Sequence, residues 1–558
     1  MSRWPAVVLA LLLAGCGMIP SKAGPPTLVV TNARIWTGDA RRPWADGLAV
    51  RGERIAAVGS SAEMRKLAAG AEVLDLGGQM VVPGFIDSHV HFLDGGFRLS
   101  SVQLRDARSP QEFVARIKAF AATVPPGTWI VGGDWDHEAW GGALPERTWV
   151  DSVTPDHPVW VNRLDGHMKL ANTAALRAAG LTGEVRDVPG GSIVRRADGA
   201  PAGVFKDNAM DLVDRAVPPA TDAQLDRALD SAMAYVASHG VTSVVNVGSA
   251  STVGATGGDL ATFERAHAAG RLRTRIYSAM PLADWPALRD LVAQRGRGDD
   301  WLRIGLLKGF VDGSLGSHTA AMWQPYTDAP ADAGFFVTPA DSLRAWIAGA
   351  DAAGLQVTVH AIGDRANATL LDLFDAVARA NGPRDRRFRV EHAQHVAPGD
   401  FARFAQLGVI ASMQPYHAID DGRWADRVIG PVRAQGTYAF RSFLDAGARL
   451  AFGSDWFVAP PTPLEGVYAA VTRRTLDGRH PDGWVPGQKV TVEEALRAYT
   501  AGSAYAEFTE QAKGVLRAGM LADFVVLDRD LTRIPPAAIR DVRVLRTVVG
   551  GTTVFARP

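Results

Sequence analysis

Through the middle of this chain, short unbroken apolar runs alternate with stretches that carry Ala, Leu and Arg at helical spacing. Strands covered on both faces read as continuous apolar runs, so the alternation predicts a parallel β-sheet with crossover helices. Eight runs qualify, at 81–90, 241–247, 273–280, 303–310, 356–361, 387–392, 408–414 and 449–455, with helical patterns at 222–238, 341–353, 366–380 and 400–406 between them. Their number and order predict an α/β fold, a distorted (β/α)8 TIM barrel. The gap after the first run is too long for a loop and predicts a large insertion over about 95–238. Its own strand signals are WIVGGDW and HPVWVNRL, and its helical ones lie at 110–122 and 172–179. Both ends have a different texture. TLVVTNARIW, GLAVRGERIAAVG and AEVLDLGG at one end, and GMLADFVVLDRDL and VRVLRTVVGGTTVFARP at the other, are short strands broken by Gly and Asp. The two ends are expected to pair into a composite β-sandwich, dividing the chain into 27–82, a barrel over 83–484, and 485–558 for the barrel end and the rest of the sandwich.

Composition narrows the function classes. With 59 Lys+Arg against 59 Asp+Glu in 558 residues, nothing marks a nucleic acid or acidic polymer as partner, and a small-molecule substrate is expected. The single cysteine, Cys16, excludes an intrachain disulfide framework and a cysteine zinc cluster. Cys16 follows Arg3 and the apolar run AVVLALLL, too short for a permanent membrane span, and closes LLLAGC. That stretch resembles a bacterial lipoprotein lipobox, which implies a signal peptide over 1–16, lipid modification of Cys16 and a tether at 17–26; the alternative is a plain secretory signal with an incidental cysteine. Gly17 stands where inner-membrane retention would call for aspartate. The expectation is an outer-membrane lipoprotein facing the periplasm, touching the membrane only through this anchor. The oligomeric state is not legible.

Six metal-capable residues close apolar runs: His89 and His91 in VVPGFIDSHVH, Lys308 in IGLLKGFVDGS, His360 in LQVTVHAIGD, His392 in RFRVEHAQ and Asp455 in LAFGSDW. The carboxyl ends of barrel strands form the open mouth, so these residues converge there. His89 and His91, two apart on a strand, leave on one face and can share an ion. Lys308 is the unusual member, because an ammonium repels a cation. Burial lowers a lysine's pKa, and the neutral amine adds carbon dioxide to give an anionic carbamate ligand. The alternative is a lysine paired with Asp312 or with a substrate anion. Asp455 suits a ligand that also accepts a proton from the attacking water, or a capping aspartate.

The blocks VVPGFIDSHVH, KGFVDGSLGSHTA, HAIGDRA, VEHAQ, SMQPYH, GSDW, VTVEEALRAYTAGSAYA and GVLRAGMLADFVVLD resemble the amidohydrolase superfamily, in its branch related to N-substituted formamide deformylases. The resemblance implies hydrolysis of a C–N bond of amide or N-substituted formamide type by metal-activated water. It places His89, His91 and Asp455 on one divalent ion and His360 and His392 on a second, with N6-carboxylated Lys308 between. Zinc is favoured, with manganese, iron or cobalt acceptable to the same ligands. Lactone or ester hydrolysis on the same site, and a non-catalytic lipid-anchored binding protein, are the competing readings. Deamination is disfavoured, since VTVHAIGDRA has no glutamate beside His360. Trp135, Asp136 and His167 are candidate pocket residues in the insertion, or braces for it. Gln414 and His417 are candidate contacts to the substrate, His318 takes a place where related sequences carry arginine, and His395 is expected to support the site. Trp135, Trp140, Trp323, Tyr416, Trp424 and Trp456 hint at an aromatic or apolar substrate group.

Overall fold

The computed structural model describes residues 24–183, 185–248 and 258–558, so Cys16 and most of the expected tether lie outside the described residues. Among the described residues the central sheet has eight strands, all parallel, in sequence order. The barrel strands are Phe85–Val90, Val241–Asn246, Arg275–Pro281, Leu302–Phe310, Gln356–Ala361, Arg389–His392, Ile410–Met413 and Arg449–Phe452. Nearly every residue in them is buried, which is why they read as unbroken apolar runs. The crossover helices carry their own start signals. Thr221 and Gln224 form a capping box before Asp222–Ser238, whose Leu225, Leu229, Met233 and Val236 face the barrel.

The first apolar run is not one strand. It breaks at Gly84 into Met80–Pro83, which belongs to the sandwich, and Phe85–Val90, which belongs to the barrel. A Cβ on Gly84 would lie 2.2 Å from Thr242 Oγ1, so only glycine lets the chain pass this closely between the two sheets. The eighth strand also ends early, at Phe452, leaving Asp455 on the loop beyond it.

The sandwich does unite the two ends of the chain. Its six-stranded sheet sets Phe524–Leu527 antiparallel to Met80–Pro83, and its four-stranded sheet comes wholly from the N-terminal side. Val30, Ile35, Val81, Phe524 and Val548 are among the residues packed between them. The insertion has a five-stranded sheet, Gly191–Arg195, Pro201–Asp207, Met168–Ala171, Val159–Arg163 and Ile130–Trp135 in spatial order. Two of these strands match WIVGGDW and HPVWVNRL. The other three went unread, because short runs such as MKLA carry too few apolar residues to show a period.

Barrel and sandwich are joined by a buried ion pair: Arg275 donates to both oxygens of Asp523, at 2.7 and 3.0 Å, and the two side chains are 2% and 4% exposed. Removing one partner leaves an uncompensated buried charge, which costs about 3–5 kcal/mol. Asp523→Ala is therefore expected to lower unfolding stability by about that amount in denaturant melts. A loss under about 1 kcal/mol would show that this pair does not hold the sandwich to the barrel.

Candidate metal centre

Each of the four strand-end histidines gives one ring nitrogen to a protein acceptor. His89 Nδ1 donates to Glu391 Oε2 at 2.6 Å, His91 Nδ1 to the Gly248 carbonyl at 2.8 Å, His392 Nδ1 to Gln414 Oε1 at 2.7 Å, and His360 Nε2 to the Gly313 carbonyl at 3.0 Å. Such partners fix the tautomer and leave the lone pair on the other nitrogen, as metal-binding histidines require. The free Nε2 atoms of His89 and His91 stand 3.2 and 3.3 Å from Asp455 Oδ1. That oxygen is buried and, among the described residues, accepts no hydrogen bond. A buried carboxylate oxygen among lone pairs, with no donor of its own, is the arrangement a cation resolves.

Two sets of three ligand atoms lie within 4.8 Å of one another, His89 with His91 and Asp455, and His392 with His417 and Asp455. Asp455 is common to both. His360 is in neither set, yet its ring centroid is 4.5 Å from that of His392, and its uncommitted nitrogen is Nδ1. The residues present fit divalent cations in number and chemistry.

Lys308 is 4% exposed, with Nζ 3.5 Å from His89 Nε2. Burial pulls its pKa down to about 8, against the attraction of Glu391 and Asp455. Pairing with Asp312 is not what the structure shows. Asp312 accepts instead from the backbone N–H groups of Ala321, Ile362 and Gly363, at 2.8 to 3.0 Å, and so anchors the loops after the fourth and fifth strands. Asp455 is held well below the usual carboxylate range. Burial opposes this, but His89, His91 and His392 outweigh it.

Glu391 was missed in the sequence. It is fully buried and takes His89 on one oxygen, and Thr358 and Arg389 on the other, with Arg389 at 2.8 Å. Its carboxyl lies below the usual range despite burial, because the Arg389 guanidinium and His89 favour the charged form. The signal was present as an acidic residue directly before a strand-end histidine, whose side chain alternation sends to the other face of the strand. His392 and Asp455 hold φ of +73° and +62°. Left-handed backbone at non-glycine residues costs on the order of 1–3 kcal/mol and clusters at functional sites.

Above the histidines lies a cavity of about 280 Å3, and His167 and His417 are among its lining residues. His167 Nδ1 is bonded to Asp207 Oδ1 at 2.7 Å, and His417 Nε2 is buried without a partner among the described residues. The other candidates sit elsewhere. Trp135 is fully buried in the insertion core and donates its indole N–H to the Val161 carbonyl, so it braces the insertion instead of lining the pocket. Asp136 faces Arg163 and Arg423 at 3.5 and 3.1 Å, behind the cavity wall. His318 is paired with Asp328 at 2.9 Å and packs on Tyr326, clear of the cavity. Gln414 does not reach the cavity either, since its carbonyl oxygen holds His392. His395 bonds Thr437 and Gln394, as a support. Of the aromatic residues named from sequence, Trp424 lines the cavity, together with Phe310 and Phe457, which were not anticipated.

Arg163 was also missed. This buried guanidinium lies 2.7 Å from Asp165, and a Cβ on Gly316 would come within 2.4 Å of its Nη1. The glycine of GSLGSH thus lets the loop after the fourth strand cross the guanidinium, docking the insertion onto the barrel mouth.

The profile of the amidohydrolase family matches residues 72–555. The protein LONG AFTER FAR-RED 3 of Arabidopsis thaliana is 40% identical over 537 residues, covering 95% of this chain and 91% of its own. The N-substituted formamide deformylase of Arthrobacter pascens is 30% identical over 550 residues, covering 95% and 98%. Among solved structures, one described as an uncharacterized metal-dependent hydrolase from Pyrococcus furiosus aligns at TM-score 0.71 and 29% identity, over 91% of this chain and 100% of that one.

Glu391→Gln keeps the shape of the side chain but removes the charge that orients His89. It is expected to weaken metal binding by about 10–100-fold, read by competition with a chromogenic chelator. Unchanged affinity would mean that Glu391 serves only the packing of the sixth strand.

Proposed function

Because this chain belongs to the amidohydrolase family, we propose that it is a metal-dependent hydrolase that cleaves the C–N bond of a small amide or N-substituted formamide. The observation that carries the reading is the set of four histidines, each with one ring nitrogen tied to the protein and the other left free around Asp455 and Lys308. His89, His91 and Asp455 would hold one ion, and His360 and His392 the second. Lys308, as a carbamate formed by addition of its neutral amine to carbon dioxide with loss of a proton, would lie between them. Divalent cations bound there, zinc foremost, supply a water of lowered pKa and polarise the scissile carbonyl.

The chain's own residues do the rest. The charged Asp455 carboxylate takes the proton of the attacking water and passes it to the leaving nitrogen. Glu391 and Gln414 keep His89 and His392 in one tautomer. His167, fixed by Asp207, and His417 face the substrate in a cavity whose 280 Å3 suits a small molecule. The bond class is supported by the near full-length similarity to a formamide deformylase.

Purified without chelators, the protein is expected to carry about two divalent ions per chain and to release amine from a panel of N-formyl and N-acyl amines. Hydrolysis confined to esters and lactones would overturn the bond class, and no turnover with metal supplied would overturn the reading itself. Lys308→Ala is expected to lower metal occupancy and to cut kcat/KM by about 100-fold, with partial rescue by added short carboxylic acids. Wild-type activity in that variant would rule out a bridging carbamate.

A further inference from the structure

A second cavity, of about 430 Å3, lies between the insertion and the helix Phe92–Arg98, and shares no lining residue with the cavity over the histidines. Its apolar wall includes Phe97, Phe120, Trp129 and Trp160. Arg98 also lines it. Arg98 Nε donates to Asp134 Oδ1 at 3.0 Å, and the guanidinium face lies 4.5 Å from the Phe457 ring centroid. Among the described residues, neither of its terminal nitrogens has a hydrogen-bond partner in the protein. One of them, Nη1, converges with Ser101 Oγ on Gly132, where a Cβ would come within 2.7 and 2.9 Å of the two groups. Gly132 has φ of +85°, and its missing Cβ is what lets the guanidinium and Ser101 pack this closely on the strand. Lys169, whose charge is taken by Asp214 at 2.7 Å, and Asp94 also line the cavity.

A guanidinium with unused terminal N–H groups presents the fork that matches a carboxylate, and charge-assisted bonds of this kind are about twice as strong as neutral ones. Aromatic walls accept a flat or branched apolar body, and the volume lies in the range of small-molecule sites. We propose that this cavity binds a small organic acid, with its carboxylate on the Arg98 terminal nitrogens and its apolar body against Trp129 and Trp160. The site does not depend on the metal centre. The same guanidinium forms part of the wall between the two cavities, since Phe457 lines the other one and lies 5.7 Å from the His91 ring.

The test is calorimetric titration of the full chain with benzoate, and with benzamide as the neutral isostere, before and after dialysis against a chelator. Saturable benzoate binding that survives metal removal and exceeds benzamide binding by about tenfold is expected. Arg98→Gln should weaken benzoate by about tenfold and leave benzamide unchanged. Ala220→Trp, which fills the cavity while keeping the Arg98–Asp134 pair, should abolish both and serves if Arg98→Gln does not fold. Benzoate binding that disappears with the metal would place the acid at the metal centre and overturn the proposal. Binding unaffected by Ala220→Trp, or no binding at millimolar benzoate, would overturn it equally.

Discussion

The first and eighth barrel strands meet through a few specific bonds, and the candidate metal centre hangs on that seam. Asp87, fully buried on the first strand, accepts from the Ser454 N–H at 2.8 Å and hydroxyl at 2.5 Å beyond the eighth. Asp455 N–H donates to the His89 carbonyl at 2.7 Å, and His91 N–H to that of Trp456 at 2.6 Å. These bonds close the barrel and, in the same stroke, set Asp455 over His89 and His91. Candidate ligands from distant parts of the chain, His89, His91 and Asp455, are thus held together by backbone contacts. Burial raises the pKa of Asp87 to about 6, against the hydrogen bonds from Ser454 and His89, so the seam is built from a carboxyl group that is costly to bury. A buried polar group is worth its cost only when its partners are complete, and here they are.

The barrel interior below the histidines is tied together by one buried guanidinium. Arg389 donates to the Ser88 carbonyl, the Ser412 hydroxyl and Glu391, tying the first, sixth and seventh strands around one guanidinium. Its remaining nitrogens, Nε and Nη1, have no partner among the described residues. The chain from Arg389 through Glu391 to His89 means that the carboxylate supporting the first histidine stands one position before the last, His392. A buried ion pair of this sort is weak evidence for stability, because desolvation offsets much of the attraction. Its role here is orientation: a histidine ring free to rotate would present its lone pair elsewhere.

The insertion contributes differently. It supplies none of the six ligand candidates, but its segment from Arg163 to His167 forms one wall of the cavity and locks to the loop after the fourth strand. Ser314 and Ser317 both donate to Asp165, and Arg163 lies beneath Gly316. The six ligand candidates thus come from the barrel, while the insertion walls part of the cavity over them. That division follows from where the chain can vary: loops and insertions at the mouth can change without disturbing the packed strands below.

The sequence by itself determined the class of fold, the eight strands, the union of the two ends and the convergence of His89, His91, Lys308, His360, His392 and Asp455. Continuous apolar runs and strand-end positions are properties of single segments, legible one at a time. It also suggested partners that geometry declined. Trp135 and Asp136 read as pocket lining or as braces, and the structure takes neither into the cavity: the indole turns into the insertion core and two arginines from distant segments claim the carboxylate. Gln414 was read as a substrate contact, but its carbonyl oxygen is held by His392, 22 residues away. Glu391, Asp87, Arg163 and the second cavity at Arg98 were decided only in three dimensions. Each depends on which side chain lies opposite across a strand or a domain boundary, and neither periodicity nor residue type encodes a distance between segments that meet only when the barrel closes.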